Sequence, residues 1–162
     1  MEICKMVSLD TSTTISGYAY FENGKLISSG ILNHSKEKDI EIRLEDMCID
    51  LINLLNKYNP HIVVIEKPPF KADPKTLTML AEIIGCVKGW SLTTGYSEYV
   101  EIYPSTWRSL VAVKGETIPK RRNDCKPWDK TKAMAILGRE PIDDNEADAV
   151  LIGIARIKEF ER

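Results

Sequence analysis

Asp10, Glu66 and Asp148 are far apart in the chain, yet each stands where an apolar segment meets a polar one. Val63-Val64-Ile65 ends in Glu66, and Pro68 and Pro69 forbid further strand. Met6-Val7-Ser8-Leu9 delivers Asp10 in the same way, followed by the hydroxyl-rich run Thr11 to Thr14. Asp143-Asp144-Asn145-Glu146-Ala147-Asp148 opens an apolar C-terminal stretch. An apolar strand that presents one acid at its C-terminal edge is how α/β folds deliver a catalytic or metal-binding group. Three such acids together point to one metal site.

Each acid also has a plainer reading. Asp10 is a natural turn former, Glu66 a salt-bridge partner for Lys67, and Asp143 or Asp144 a helix N-cap at the positive end of the dipole. Capping does not explain Asp148, which sits between Ala147 and Ala149 where burial without a counter-charge is costly. On a helix, residues three and four apart share a face, so Asp144, Asn145 and Asp148 converge while Glu146 points about 200° away from Asp144. Oxygen donors with no nearby cysteine or histidine favour Mg²⁺ or Mn²⁺ over zinc. Read jointly, the acids predict a two-metal site for phosphodiester chemistry.

The elements that position these acids are legible in the pattern. Residues 3–10, 17–21 and 25–32 read as strands, the last two joined by Asn23-Gly24, the strongest short hairpin signal. Residues 40–57 alternate apolar and charged positions as an amphipathic helix, stopped by Asn59-Pro60. A buried strand over 61–66 precedes a helix over 74–94, whose Leu77, Leu80, Ile84 and Val87 form a seam for a sheet or another helix. Gly85 and Gly89, one turn apart, permit close backbone approach. Residues 99–103 read as a short strand and Pro104-Ser105-Thr106-Trp107 as a helix start capped by Ser105 or Thr106. Residues 114–132 read as irregular, and a helix begins at Asp144. The order βββαβαβαα predicts a mixed α/β fold of one domain.

The totals set bounds. A chain of 162 residues with 43% hydrophobic and 28% charged residues has enough material for one core and is not disordered. Its 4 cysteines, Cys4, Cys48, Cys86 and Cys125, are scattered and read as buried small hydrophobes in a reducing compartment. No leader pattern and no apolar stretch of about 18 residues is present, so a cytoplasmic, nucleoid-associated protein without a membrane partner is expected. The net charge of −2 conceals a local run of Lys114, Lys120, Arg121, Arg122, Lys126, Lys130 and Lys132.

Leu9-Asp10-Thr11-Ser12-Thr13-Thr14-Ile15-Ser16-Gly17-Tyr18-Ala19, Val64-Ile65-Glu66, Tyr103-Pro104-Ser105 and Glu146-Ala147-Asp148-Ala149 occur in one order across nearly the whole chain. Together they resemble the RuvC family of Holliday-junction resolvases, phage-type members included. The resemblance implies a ribonuclease-H-like fold with a mixed five-stranded sheet flanked by helices. It also implies a homodimer that nicks two strands of four-way DNA symmetrically with Mg²⁺, Mn²⁺ substituting, and without organic cofactor. By motif, Asp10, Glu66 and Asp148 match the family's catalytic acids. Many members place Asp or His three residues before the last acid; here that residue is Asn145, so either Asp144 takes its place as ligand or the amide makes a weaker one. The implied reaction is in-line attack by a metal-activated water, with Asp10 bridging two ions and Glu66 and Asp148 each holding one.

DNA contacts are expected from Lys67, Lys71, Lys75, Lys120, Arg121 and Arg122, and from Phe70, an aromatic between lysines suited to stacking on unpaired bases. Trp107 and Trp128 read as core anchors. Three other functions share parts of the pattern: a ribonuclease H acting on RNA·DNA hybrids, a non-catalytic junction-binding protein, and an actin-like or sugar-kinase ATPase. The last needs a second lobe and a glycine-rich nucleotide loop, and a single domain of 162 residues without that loop argues against it.

Overall fold

The computed structural model describes residues 4–68, 73–95 and 97–161. Its five strands lie in one sheet of order β3-β2-β1-β4-β5. β1 (Lys5–Asp10), β2 (Ile15–Glu22) and β3 (Lys25–Asn33) form the antiparallel meander; β4 (Ile62–Glu66) and β5 (Glu98–Ile102) add parallel to β1. The hairpin turn forms because Asn23 and Gly24 both take positive φ, 48° and 77°. Because β1 and β4 run parallel with Leu9 opposite Ile65, their C-terminal acids Asp10 and Glu66 emerge at the same sheet edge.

Helices cover both faces. α1 (Ile40–Tyr58) and α2 (Pro74–Thr94) pack on one side, where Leu51, Leu55, Ile83 and Val87 meet Val7, Leu9, Val63 and Ile65. α3 (Pro104–Val111), α4 (Arg122–Leu137) and α5 (Asp144–Phe160) cover the other, where Trp107, Val150 and Leu151 meet Met6, Phe21 and Val64. α1 is capped by Asp39 and closed by Asn59 in the left-handed region, as the Asn-Pro signal requires.

Several expectations need correction. Residues 114–132 are not irregular throughout: Arg122 begins α4, which accommodates Pro127 and contributes buried Cys125, Asp129 and Ala133, four apart, to its inner face. The basic run masks this period because the inner position between Cys125 and Ala133 is an acid. α3 is capped by neither Ser105 nor Thr106; Tyr103 is its N-cap residue, without a side-chain bond, and Pro104 fills the first turn. The buried face of α2 is Leu80, Ile83, Val87 and Trp90 rather than the expected Leu77, Leu80, Ile84 and Val87, of which Leu77 and Ile84 are only partly buried, and it packs within the chain. Among the described residues nothing approaches Gly85 or Gly89, since a β-carbon there would meet no atom within 4 Å. Of the cysteines only Cys125 is buried; Cys4 is exposed and the other two are intermediate.

Candidate active site

Two close approaches fix α5 against the sheet. Gly17 lies directly opposite Asp10 in the β1–β2 ladder, and a β-carbon on it would stand 1.9 Å from the Asn145 carbonyl oxygen. One turn further on, Ser8 Oγ donates to the Ala149 carbonyl at 2.6 Å, and Gly153 leaves room for the Phe21 ring. Glycine is required at both positions by contact rather than by φ. Asp148, just before Ala149, is thereby brought beside the ends of β1 and β4. Asp10, Glu66 and Asp148 line one cleft of about 800 Å³ together with Asp144, Asn145, Arg108, Lys120 and Lys126.

The electrostatics reflect this grouping. Burial, then repulsion from Glu66, Asp148 and Asp143, holds Asp10 well above the ordinary carboxylate range. Burial, then Asp129 and Glu66, pushes Asp148 up to about 8 against the pull of Arg108. Glu66 Oε2 accepts a hydrogen bond of 2.6 Å from Nε1 of the fully buried Trp107. The three carboxylates share the cleft without being closed around one point: among the described residues no three Asp, Glu, His or Cys side chains are set to hold an ion as they stand. The donor set nonetheless fits a hard divalent cation, because it is oxygen only and because mutual repulsion and burial are what such an ion relieves.

Around this core the N-terminus of α5 is already engaged. Asp143 is the N-cap and accepts from Glu146 N at 2.9 Å, while Asn145 Nδ2 donates to Asp143 Oδ2 at 2.9 Å. Asp144 pairs with Lys126 at 2.5 Å and is half exposed. Glu146 points away from the cleft, as its helical phase predicts. It is fully buried and holds Arg139, Ser29 Oγ and Ile142 N, and these bonds keep it below the ordinary range despite burial.

Sequence reasoning missed Arg108. It lies next to Trp107 on α3, with its guanidinium 4.1 Å from the Trp107 ring centre, 2.8 Å from Asp129 and 4.0 Å from Asp148. The one available signal was its place beside Trp107, four residues after Pro104. Trp128 is an anchor as expected, donating to Glu116.

Among the described residues expected to contact DNA, only Lys120 lines the cleft. Arg121 is exposed at the start of α4 and Lys75 in the first turn of α2. Lys67 leans on Tyr103, 4.6 Å above its ring, and lies 3.6 Å from Glu101. Of the remaining basic run, Lys130 pairs with Glu140 and Lys132 with Glu116. Phe70, Lys71 and the side chain of Arg122 lie outside the described residues. Among the described residues no helix is long and apolar enough to cross a membrane.

Sheet order, helix placement and the cleft define a ribonuclease-H-like fold of the RuvC kind. The fold is similar to that of Thermus thermophilus RuvC in complex with Holliday junction substrate, with a TM-score of 0.74 and 15% identity, covering 98% of this chain and 95% of that one. It is also similar to the yeast mitochondrial Holliday junction resolvase, with a TM-score of 0.58 and 17% identity over 96% of this chain and 79% of the other. In sequence it is 29% identical to the crossover junction endodeoxyribonuclease RuvC of Halothermothrix orenii, covering 92% of this chain and 89% of that protein. It is 27% identical to that of Brachyspira hyodysenteriae, covering 92% and 91%. Residues 3–156 match the family described as Lactococcus phage M3 protein (DUF3882), and the chain belongs to that family.

Proposed function

We propose that this protein is a metal-dependent DNA endonuclease that resolves four-way junctions by paired phosphodiester hydrolysis. The observation that carries the proposal is the meeting of Asp10, Glu66 and Asp148 in one cleft of a RuvC-like fold. Asp10 would serve both of two Mg²⁺ ions, with Mn²⁺ able to substitute, and Glu66 and Asp148 would serve one each. When bound, the ions activate the attacking water and stabilise charge on the leaving oxygen. Trp107 fixes the Glu66 carboxylate, and Asn145 or Asp144, whose Oδ2 pairs with Lys126, would supply a further oxygen.

Lys67, Lys75, Lys120, Arg121 and Arg122, with Lys71, track the phosphates of branched DNA, and Phe70 stacks on bases opened at the crossover. A homodimer provides two clefts for two nicks, in the cytoplasm beside the nucleoid. The test is a panel of labelled four-way junction, duplex and RNA·DNA hybrid, each with and without Mg²⁺. The junction is expected to be cut in preference to the others. Preferential cutting of the hybrid would make the protein a ribonuclease H, and tight junction binding with no cutting would make it a binding protein.

A further inference from the structure

Arg108 faces two carboxylates from two helices, and it is held by the one that is not in the cleft. Asp129 on α4 takes the Nε–Nη2 edge of the guanidinium, with contacts of 3.1 Å from Nε to each oxygen and 2.8 Å from Nη2 to Oδ2. Asp148 on α5 is 4.0 Å from Nη2, beyond a hydrogen bond. Asp129 is 1% exposed and lies on the inner face of α4 between Cys125 and Ala133, where an apolar residue would pack at no desolvation cost. Packing alone therefore does not account for an acid at this position. Lys126 shows the alternative outcome, since it sits fully on Asp144, 2.5 Å away.

We propose that Asp129 is a positioning residue: by engaging Arg108 from behind, it withholds that cation from Asp148 and keeps Asp148 available to a divalent ion. The inference rests on the metal-nuclease reading above and adds to it a residue that does not line the cleft. The Trp107 ring holds Arg108 from another side, and the carboxylates it meets are those of Asp129 at 2.8 Å and Asp148 at 4.0 Å, with Asp10 also within reach of its charge. If the Asp129 charge is removed, Arg108 becomes a full positive charge whose nearest remaining acid is Asp148, and it pairs with Asp148 in competition with the ion.

The experiment is a calorimetric titration of Mn²⁺ into the DNA-free protein. Asp129→Asn, which keeps shape and one acceptor, is expected to bind Mn²⁺ about tenfold or more weakly than wild type. Adding Arg108→Met to Asp129→Asn removes the competitor with its partner and is expected to restore affinity to the wild-type value or better. A merely structural pair would show no such reversal. Unchanged affinity in Asp129→Asn, or affinity lost further in the double variant, would overturn the inference while leaving the metal site intact. Should Asp129→Asn not fold, the double variant alone decides, because affinity below wild type contradicts the withholding role. A wild type that binds no Mn²⁺, or binds it equally well as Asp148→Asn, would overturn the metal-site reading itself.

Discussion

The carbonyl oxygen of Asn145 occupies the space where Gly17 lacks a side chain, with only 1.9 Å between it and the position of a β-carbon. Because Gly17 is paired with Asp10 across the β1–β2 ladder, this contact sets the depth at which α5 enters the sheet and hence the approach of Asp148 to Asp10. Gly17→Ala is expected to lift the first turn of α5, lowering stability by about 2–3 kcal/mol through overpacking and weakening Mn²⁺ binding. Gly89→Ala on α2, where a β-carbon meets no atom of the described residues within 4 Å, is expected instead to gain up to about 1 kcal/mol from helix propensity. Thermal melts and Mn²⁺ titration of the two variants check the contrast.

Trp107→Phe keeps most of the buried ring volume but removes the 2.6 Å donor to Glu66. A hydrogen bond to a charged group contributes about 1.5–3 kcal/mol, so cleavage is expected to slow by about tenfold or more while junction Kd stays near wild type. A mutant that binds junctions poorly but cuts bound DNA at the normal rate would place Trp107 in recognition.

The raised carboxyls predict an inverted pH dependence for the protein without divalent ions. Asp148, at about 8, and Asp10, raised well above its ordinary value, bind protons more tightly folded than unfolded. The stability they contribute is fully present below the unfolded carboxyl range near pH 4 and is lost as pH rises toward 8. Melting temperature in EDTA should therefore fall from pH 5 to pH 8. Mg²⁺, which needs the deprotonated acids, should raise it at pH 8 and have little effect at pH 5. Asp148→Asn should flatten both trends.

Glu146 should behave in the opposite sense. Held low by Arg139, Ser29 and the Ile142 amide, it contributes stability above its unfolded pKa and loses it on acidification below about pH 4.5. Because Arg139 is itself half exposed, Glu146→Gln is expected to destabilise the fold by about 1.5–3 kcal/mol, the loss of hydrogen bonds to a charged group. Urea unfolding at pH 7 measures it directly.

The strands and the two strand-end acids were legible because burial, hairpin chemistry and proline punctuation all leave local traces in sequence. Asp148 was legible for a related reason, an acid placed where a helix turns apolar. Arg108 and Asp129 were not, since their meaning is a contact between α3 and α4 that no spacing within either segment reveals. α4 itself was obscured because Pro127 and the lysines look like breakers and solvated loop, whereas Cys125, Asp129 and Ala133 are its inner face. The loop after Glu66, where Phe70 and Lys71 are assigned to DNA, rests on sequence alone.

The central claim is that Asp10, Glu66 and Asp148 form one metal site that cuts branched DNA. It is tested most directly by single-turnover cleavage of a labelled four-way junction by wild type and Asp148→Asn, with junction binding measured in parallel. Wild type should cut only with Mg²⁺ or Mn²⁺, and Asp148→Asn should be slower by about a hundredfold or more, the several kcal/mol that metal ions contribute, while binding the junction as tightly. Undiminished cutting by Asp148→Asn, or equal cutting by wild type in EDTA, would contradict the account.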